Sequence, residues 1–482
     1  MDYAKPISAT NNITLDLAMY RPKDPKGVLF FNPGGSDPTA VVAWQVALDL
    51  ESDFTANFEG LLEYDLMSTL PGLALRVPAD AEAVLDVRGL WASNPLNVSL
   101  ETFAPLLESP SSQQEYDEYQ AAAKEMFQSW TNLSTPSAIL EHVSVLEVTQ
   151  DYERIRIALG YEKVHFLAAS YGTYRAAQYA ATFPERVGNF ALDAVVPHGF
   201  SWQDNVKYDV MAYNRGLLRA DAFCQSNASC PFHKGGKGSV PEAWHTVLAM
   251  AENGTLSACA SGTTCNETLT VFDAQSTIAG LLAGQPDFPN LFARLEAALS
   301  GDGADFAASG PFTIDEVWAL PLECADNRVY DSSYAGYQEL IQAMEEVDTH
   351  HIHQSDWLAI FLSCAAWPYS TPPTQPLELT APMLLVTADF DVSAATEKTT
   401  FAWSTQTPHS ALVVRHGDDH VSFDLPRQAS TNYTKQFLRS GVLPGAIDGT
   451  FVTMYEPGMQ REAVPDPYCV PTGFVAGDVD SA

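Results

Sequence analysis

The stretch VHFLAASYGT, residues 164–173, decides how the chain folds. Residues 164–168 form a short apolar run that predicts a buried strand, and residues 174–183 have the pattern of a helix that ends before Pro184. Ser170 therefore lies between a strand and a helix. The sharp turn that presents a nucleophilic serine at such a place is usually written Gly-x-Ser-x-Gly.

Only the second of those glycines is present, as Gly172, because Ala168 stands where the first would be. Small residues are needed at both positions because the backbones of strand and helix approach closely there. Alanine adds a single methyl group, so we expect the turn to form with Ser170 as a nucleophile. The alternative is an ordinary strand-to-helix turn that contains a serine.

Short apolar strands alternate with helices on both sides of this turn. Strands are predicted over residues 28–31, 83–86, 164–168, 189–193, 382–387 and 411–414, and a helix over residues 144–159. This alternation is typical of an α/β protein with a mostly parallel sheet and helices on both faces. The pattern is lost between about residues 198 and 370, which read as a mainly helical, cysteine-rich cap inserted between two core parts, residues 1–197 and 371–482.

A serine hydroxyl needs a base, and the base needs an orienting carboxylate. In chains with this kind of turn the order is serine, then Asp or Glu, then His. Asp389 and Asp391 follow a late predicted strand, and His416 and His420 lie in a loop further on. The order of residues alone leaves both carboxylates and both histidines open.

The segment VTQDYERIRIALGYEKVHFLAASYGTYRAAQYAATFPERVGNFALDAVV, residues 148–196, resembles the tripeptidyl and prolyl aminopeptidase branch of the α/β hydrolases. Other elements that resemble this family are Asn32-Pro33-Gly34-Gly35, Asp86-Val87-Arg88-Gly89 with Ser93, Cys324-Ala325-Asp326, and Cys364 with Trp367-Pro368. The resemblance is scattered over about residues 28–440, and the segment around Ser170 is its most specific part. It implies an α/β-hydrolase fold with a cap.

The resemblance also implies roles for single residues. It places the orienting carboxylate at Asp391 and the general base at His420, with Asp389 and His416 as the second choices. It implies an oxyanion hole formed by the backbone N–H of Tyr171 and by the glycine turn that contains Gly35. The following residues 36–39, SDPT, depart from the family pattern, so either Gly35 or Ser36 would supply the second N–H.

The family further suggests functions for polar residues outside the triad. Glu323 and Asp326 in the cap would hold the ammonium group of a substrate, whereas the alternative is a helix end anchored by a disulfide. Asp86 and Arg88 are interpreted as a buried ion pair that braces the oxyanion loop.

Three hypotheses for function follow. The first is a secreted serine exopeptidase that releases single residues or short peptides from peptide N-termini. The second is a carboxylic ester, lactone or thioester hydrolase with the same triad, suggested by the altered oxyanion loop. The third is a catalytically silent binding protein on a hydrolase scaffold.

The composition limits the partners. The chain has 482 residues, with 60 acidic and 25 basic side chains and a formal net charge of −35. Such an acidic surface repels phosphate backbones, so nucleic acid is not an expected partner. The sequence contains no run of about eighteen apolar residues, so it predicts no transmembrane helix. A small molecule or a peptide is the expected substrate.

Two features favour the secretory pathway. Seven Asn-x-Ser/Thr triplets predict glycosylation at Asn12, Asn97, Asn132, Asn227, Asn253, Asn266 and Asn432. Six of the seven cysteines lie in the predicted cap, where fifteen pairings are possible; we expect the disulfides Cys224–Cys230, Cys259–Cys265 and Cys324–Cys364, with Cys469 free. The first ten residues, MDYAKPISAT, lack the apolar segment of a signal peptide, so secretion would need a segment that this sequence does not include, and a cytoplasmic location is the alternative.

A histidine cluster and three tryptophans are the other patterns that could indicate a binding site. Residues 348–353, DTHHIH, contain histidines that could bind zinc, but no matching ligand set is visible, so a solvated helix end is favoured and neither a metal nor a cofactor is expected. Trp318, Trp357 and Trp367 are interpreted as core residues, with an apolar pocket as the alternative.

Overall fold

The structure of the protein is a computed structural model. It describes residues 2, 3, 5, 8, 11–20, 27–35, 81–85, 87–91, 93–103, 109–259, 267–307, 314–422 and 429–470.

Nine strands among the described residues form one sheet. They are β1 (Leu17–Tyr20), β2 (Val28–Asn32), β3 (Ala81–Leu85), β4 (Val164–Ala169), β5 (Val187–Asp193), β6 (Leu384–Ala388), β7 (Ala411–Arg415), β8 (Ile447–Asp448) and β9 (Val452–Tyr455). Their order across the sheet is β1-β3-β2-β4-β5-β6-β7-β9-β8. The strands from β3 to β7 run parallel, whereas β1, β8 and β9 pair in antiparallel fashion at the two edges.

The central strands are buried on both faces. Every residue of β2, β6 and β7 is buried, and β4 departs from this pattern only at His165. Continuous apolar runs of this kind are expected where helices cover both faces of a parallel sheet. The predicted fold class is therefore confirmed, and the strand ends predicted from sequence lie within two residues of the observed ones.

Six helices of the described residues belong to the sheet-containing core. They are α1 (Leu100–Phe103), α2 (Gln113–Leu133), α3 (Val145–Leu159) and α4 (Tyr171–Thr182) before the insertion, and α13 (Thr396–Phe401) and α14 (Ala429–Ser440) after it. α3 ends where the sequence predicted, because Gly160 adopts a left-handed φ of 81° as its C-cap. Short 3₁₀ turns cover 139–142, 184–186 and 233–235, and a π-helical turn covers 402–406.

The insertion between β5 and β6 is helical. It contains α5 (Trp202–Ser226), α6 (Ser239–Glu252), α7 (Val271–Leu282), α8 (Phe288–Leu299), α9 (Ala304–Ala307), α10 (Ile314–Asp326), α11 (Tyr334–Glu345) and α12 (Asp356–Cys364). The boundaries at 197/198 and 370/371 stay a prediction.

The inserted helices divide into two groups by what they pack against. The C-terminal part of α5 and helices α6 to α9 enclose a second hydrophobic cluster, which contains Trp244 and Leu291 and is closed by Val392 and Ala395 after β6. Helices α10 to α12 instead contribute to the main hydrophobic cluster of the core, together with α2 and α4. The cap is therefore attached to the core through a shared hydrophobic interior as well as through its connections.

Two disulfides lie in this region. Cys224 and Cys230 close the C-terminal end of α5, and Cys324 and Cys364 join α10 to α12. Cys259 is also disulfide-bonded, and its predicted partner Cys265 lies outside the described residues. Cys469 is a free, exposed thiol. Over the described ranges, no helix has the length and apolar character that crossing a membrane requires.

Candidate active site

Ser170 occupies the sharp turn between β4 and α4. Its backbone has φ 50° and ψ −131°, a conformation that residues other than glycine rarely adopt. The strain is held in place by β5, because the Ser170 N–H donates to the Asp193 carbonyl at 2.9 Å. On the helix side, the Thr173 N–H and hydroxyl donate to the Ser170 carbonyl at 3.0 and 2.6 Å.

The close approach on which the turn depends is made at Gly172. A Cβ atom there would lie 2.4 Å from the carbonyl oxygen of Asn32, so only glycine fits without moving β2. Ala168 is fully buried and is paired in register with Asn32 and Leu192. The methyl group that replaces the usual first glycine is thus accommodated within the sheet.

The Asp391 carboxylate orients His420. Asp391 follows β6 and is completely buried, and its Oδ1 accepts the backbone N–H groups of Ser393 and Ala394, both at 2.9 Å. The Nδ1 of His420 lies 2.9 Å from Oδ2 and 3.1 Å from Oδ1 of the same carboxylate. This is the geometry in which a carboxylate fixes the imidazole tautomer and leaves Nε2 as the atom for proton transfer.

The second choices, Asp389 and His416, form a pair of their own. The Nδ1 of His416 lies 2.5 Å from Asp389 Oδ2, and its Nε2 lies 2.9 Å from the Thr453 hydroxyl on β9. Asp389 also accepts a hydrogen bond from the Arg461 guanidinium at 2.6 Å. Both ring nitrogens of His416 are therefore engaged by the protein, which does not suit a general base.

Ion pairs and hydrogen bonds hold the loop that carries both histidines, residues 416–422. Arg219 on α5 in the cap forms a two-pronged ion pair with Asp418, with N···O distances of 2.5 and 3.0 Å. Arg415 pairs with Asp419 at 2.9 Å. At the end of the loop, the N–H and hydroxyl of Ser422 donate to Asp193, whose pKa is raised by burial.

The turn between α7 and α8 in the cap contacts both loops of the candidate triad. The Gly284 carbonyl accepts the His420 backbone N–H at 2.9 Å, and the Gly284 N–H donates to the Ser393 hydroxyl at 3.0 Å. The cap is therefore part of the framework that holds Asp391 and His420.

The glycine turn after β2 lies directly beside Ser170. A Cβ atom on Gly34, which has φ 101°, would lie 2.7 Å from Ser170 Cβ and 3.1 Å from the Tyr171 nitrogen. The Gly34 N–H donates to Asn32 Oδ1 at 3.0 Å, so it is already engaged within the protein. Gly35 is exposed and has a φ of 48°, and its N–H is the next one along this turn. Ser36 lies outside the described residues.

Arg175 connects the two segments expected to form the oxyanion hole. Its guanidinium donates to Asn32 Oδ1 at 3.1 Å and to the Gly35 carbonyl at 3.2 Å, and it lies 5.2 Å from the centre of the Tyr171 ring. Tyr171 is the first residue of α4, so its N–H has no acceptor within the helix.

The Tyr171 side chain is fixed by the cap. Its hydroxyl donates to Asp326 Oδ2 at 3.0 Å and accepts from Asn327 Nδ2 at 3.0 Å. Asp326 Oδ1 accepts the backbone N–H of Val145. Both carboxylate oxygens of Asp326 are thus engaged by protein donors. Burial raises the pKa of the Asp326 carboxyl to about 7 and raises that of the Tyr171 hydroxyl well above its usual value.

The second cap carboxylate predicted to bind substrate lies one turn earlier on α10. Glu323 is half-buried, and its backbone carbonyl accepts the N–H and the Nδ2 of Asn327 at 2.8 and 3.0 Å. Its substrate-binding role stays a prediction.

Arg88 is fully buried, as the sequence predicted for a structural residue. Its guanidinium donates to both carboxylate oxygens of Asp151 on α3, at 2.6 and 2.5 Å. Asp86, its expected partner, lies outside the described residues. The ion pair that the structure describes therefore braces α3 against the loop after β3.

Most of the predicted glycosylation sites are exposed. Asn12, Asn97, Asn132, Asn253 and Asn432 are exposed and Asn227 is half-buried, whereas Asn266 lies outside the described residues.

Within the described ranges, no group of three or more His, Cys, Asp or Glu side chains could hold a metal ion. His350 lies near His245, with 3.4 Å between their ring nitrogens.

The comparisons with known proteins agree with this architecture. Residues 86–238 match the α/β hydrolase fold family, and residues 350–450 match the family described as TAP-like protein. The chain is a TAP-like α/β hydrolase. The first match contains the Ser170 turn, and the second contains Asp391 and His420.

Three curated relatives illustrate the similarity. The tripeptidyl aminopeptidase of Streptomyces coelicolor is 26% identical over 261 residues, which are 52% of this chain and 44% of that protein. A putative hydrolase of Escherichia coli, YuaR, is 30% identical over 128 residues, or 26% of this chain and 25% of that protein. The serine protease Hip1 of Mycobacterium tuberculosis is 31% identical over 109 residues, or 23% and 21%. The matched part is less than half the length of each relative.

Three residues that shape this site were not singled out from the sequence. They are Arg175, Arg219 and Gly284. Arg175 had a local signal in the sequence, because it is the one charged residue of the helix YGTYRAAQYAAT. It lies four residues after Tyr171 and therefore on the same face. Arg219 and Gly284 had none, because their partners are more than 100 residues away.

Proposed function

We propose that this hydrolase is a serine hydrolase with Ser170 as the nucleophile, His420 as the general base and Asp391 as the orienting carboxylate. The observation that carries the proposal is the bond from His420 Nδ1 to a completely buried Asp391, in a protein whose Ser170 occupies a strained strand-to-helix turn. In this mechanism Nε2 of His420 removes the Ser170 proton as the hydroxyl attacks a carbonyl carbon.

The reaction then proceeds through an acyl-enzyme. His420 returns its proton to the leaving group, and a water molecule, activated by the same imidazole, releases the acyl part. The Tyr171 and Gly35 N–H groups are proposed to stabilise the oxyanion of the tetrahedral intermediates. Each such donor is worth roughly 10² to 10³ in rate.

For substrate, we propose peptides from whose N-termini the enzyme releases single residues or short peptides. The support is the TAP-like match over residues 350–450 and the similarity to relatives that include a tripeptidyl aminopeptidase and a serine protease. Glu323, half-buried on the cap, is the proposed contact for the substrate ammonium group. Asp326 is assigned instead to positioning Tyr171, because its oxygens are already occupied.

Hydrolysis of esters, lactones or thioesters is the second candidate. The Gly34 N–H is turned towards Asn32 Oδ1, which leaves fewer backbone donors in the glycine turn for an oxyanion. Activated acyl groups need less oxyanion stabilisation than amides, so this arrangement would limit amide hydrolysis more than ester hydrolysis.

The proposed location is an oxidising compartment of the secretory pathway. Disulfides such as Cys224–Cys230 and Cys324–Cys364 persist in oxidising surroundings and are rare in the cytosol. The exposed sequon asparagines are compatible with glycosylation there.

The nucleophile is tested by labelling with a fluorophosphonate probe. We expect stoichiometric labelling that peptide mapping assigns to Ser170 and that Ser170→Ala abolishes. The exposed Ser440→Ala variant is the matched control and should label normally. Labelling that persists in the Ser170→Ala variant would contradict the assignment.

The substrate class is tested with a panel of chromogenic tripeptidyl and single-residue amides, each with a free or an acetylated N-terminus, and with matched esters. The exopeptidase proposal predicts cleavage of the free amides and little cleavage of the acetylated ones. Rapid ester hydrolysis without amide cleavage would decide for the second candidate.

A further inference from the structure

Arg175, on the second turn of α4, is a buried cation whose hydrogen-bond partners are neutral. It is 3% exposed, and its guanidinium donates to Asn32 Oδ1 and to the Gly35 carbonyl. Within the described part of the chain it takes part in no ion pair, whereas the buried Arg88 is paired with Asp151. Burying a charge without an opposite charge is costly. Arg175 therefore calls for a function beyond holding the fold together.

The charge of Arg175 acts on the groups around it. Burial raises the pKa of the Tyr171 hydroxyl, and the Arg175 charge opposes this shift. Burial likewise raises the pKa of the Asp326 carboxyl to about 7, with Arg175 among the groups that oppose it. Asp326 is therefore only partly ionised near neutral pH and does not fully neutralise the guanidinium. Arg175 is thus a source of positive charge beside Tyr171, whose N–H is one of the two proposed oxyanion donors.

The side chains of Arg175 and Asn32 together hold the glycine turn after β2. The Asn32 Nδ2 donates to the Tyr152 hydroxyl at 2.8 Å, which turns its Oδ1 towards the Gly34 N–H and Arg175. The second prong of the guanidinium holds the Gly35 carbonyl. The Gly35 N–H lies along the chain between these two fixed groups. Since two glycines in succession have wide conformational freedom, a defined direction for this N–H depends on such anchors.

We propose that Arg175 is a positioning residue of the oxyanion hole, which holds the glycine turn in place for the Gly35 N–H and adds positive charge where the oxyanion forms. The inference rests on the proposed function, because the oxyanion arises only when Ser170 attacks a substrate. A side chain from α4 in this role suits a chain in which residues 36–39, SDPT, depart from the family pattern of the oxyanion loop.

Labelling kinetics with a fluorophosphonate probe test this role without a known substrate. Ser170 Oγ attacks the phosphorus, the O–P bond forms while the P–F bond breaks, fluoride leaves, and the serine proton passes to His420. The phosphoryl oxygen gains negative charge in the transition state and takes the place of the oxyanion. Varying the probe concentration separates KI, which reports probe binding, from kinact, which reports the bond-forming step.

The Arg175→Met variant removes the charge and both hydrogen bonds while keeping a long side chain. We expect kinact to fall by about ten- to hundred-fold with KI within about two-fold, because one oxyanion donor is worth roughly 10² to 10³ and is here displaced rather than removed. Arg175→Lys keeps the charge but lacks the planar fork that binds two acceptors. Its kinact should therefore lie between those of Arg175→Met and the unchanged protein.

The matched control is Arg156→Met. Arg156 is also buried, at 7% exposed, and is paired with Glu153 on α3. This variant should have a lower melting temperature but a kinact within about two-fold of the unchanged protein, as expected for a structural arginine.

A kinact for folded Arg175→Met within about two-fold of the unchanged value would overturn the proposal, as would a loss that appears only in KI. Should Arg175→Met not fold, Arg175→Lys decides, because an unchanged kinact for it would contradict positioning by the fork. Failure of the proposed function looks different: the unchanged protein is then not labelled at Ser170, and the role of Arg175 falls with it.

Discussion

Two Asp–His pairs lie side by side at the ends of β6 and β7, and they are built from the same residue types. The two histidine side chains are equally exposed, at 18%, and both carboxylates are nearly or fully buried. What differs is the set of partners. Both ring nitrogens of His416 form hydrogen bonds, and its partner Asp389 also binds Arg461. The Asp391 carboxylate instead accepts two backbone N–H groups and pairs with the Nδ1 of His420.

Residue type and burial therefore do not distinguish the proposed catalytic pair from the proposed structural pair. Asp389–His416 joins β6 and β7 to Thr453 on β9, so its bonds are satisfied within the fold. Asp391–His420 is held by the backbone N–H groups of Ser393 and Ala394 and by the Gly284 carbonyl of the cap. Equivalent substitutions in the two pairs therefore test which pair acts in catalysis.

The largest expected effect is that of His420→Ala compared with His416→Ala. Removing the proposed base should lower kcat by about 10⁶-fold, with an unchanged melting temperature. His416→Ala should stay within about ten-fold of the unchanged enzyme, since no step uses this ring. Steady-state kinetics and thermal melting on both variants check the pair. A greater loss for His416→Ala than for His420→Ala in folded protein would reverse the assignment.

The carboxylates should separate activity from stability. Asp391→Asn should lower kcat by roughly 10³ to 10⁴, because the amide favours the wrong imidazole tautomer. Asp389→Asn should instead lower the free energy of unfolding by about 3 kcal/mol, because it leaves the buried Arg461 charge without its partner. Urea unfolding and kinetics measure the two quantities. The contrast fails if Asp389→Asn is as stable as the unchanged protein.

The sequence predicted much of this region because the signals are local. The strand, the small residues and the helix around Ser170 lie within about twenty residues, and the order of Ser170, Asp391 and His420 follows from the fold. It could not choose between the two pairs without the family resemblance, because the decision rests on Thr453 and Arg461, which are distant in sequence. The edge strands β1, β8 and β9 were missed because they are short, with two to four residues each. Contacts between cap and core, such as Arg219–Asp418, also have no local signature.

A smaller effect is expected from the glycine turn, which would serve only the Asp391–His420 pair. Gly34→Ala places a methyl group 2.6 Å from the Ala169 carbonyl and beside Ser170 Cβ, so we expect a loss of about 10² to 10³ in kcat. Gly160→Ala is the matched control, because Gly160 also has a positive φ but nothing within 4 Å of the added methyl. It should cost about 1 kcal/mol of stability and no activity. Equal kinetics for the two variants would remove the turn from the site.

The smallest effect on turnover is expected from Asp326→Asn, which tests positioning against substrate binding. Replacing the carboxyl that accepts the Tyr171 hydroxyl with an amide should lower kcat by about three- to ten-fold with little change in KM. Glu323→Gln is the matched control, and if Glu323 contacts the ammonium group it should raise KM for free amines only. A selective rise in KM for free amines with Asp326→Asn would instead restore its predicted substrate-binding role.

The same variant has a second readout in the pH dependence of stability. The groups that act on the Asp326 carboxyl include Glu147, Tyr171 and Arg175, and burial dominates, raising the pKa from 3.8 to about 7. The folded state therefore holds this proton more tightly than the unfolded chain, and the stability of the unchanged protein relative to Asp326→Asn should fall as the pH rises from about 4 to about 7. The full change is on the order of 4 kcal/mol, since each pKa unit corresponds to about 1.4 kcal/mol. Urea unfolding of both proteins at pH 5 and pH 8 measures the difference, and a difference independent of pH would mean that Asp326 is not held in an environment that favours its neutral form.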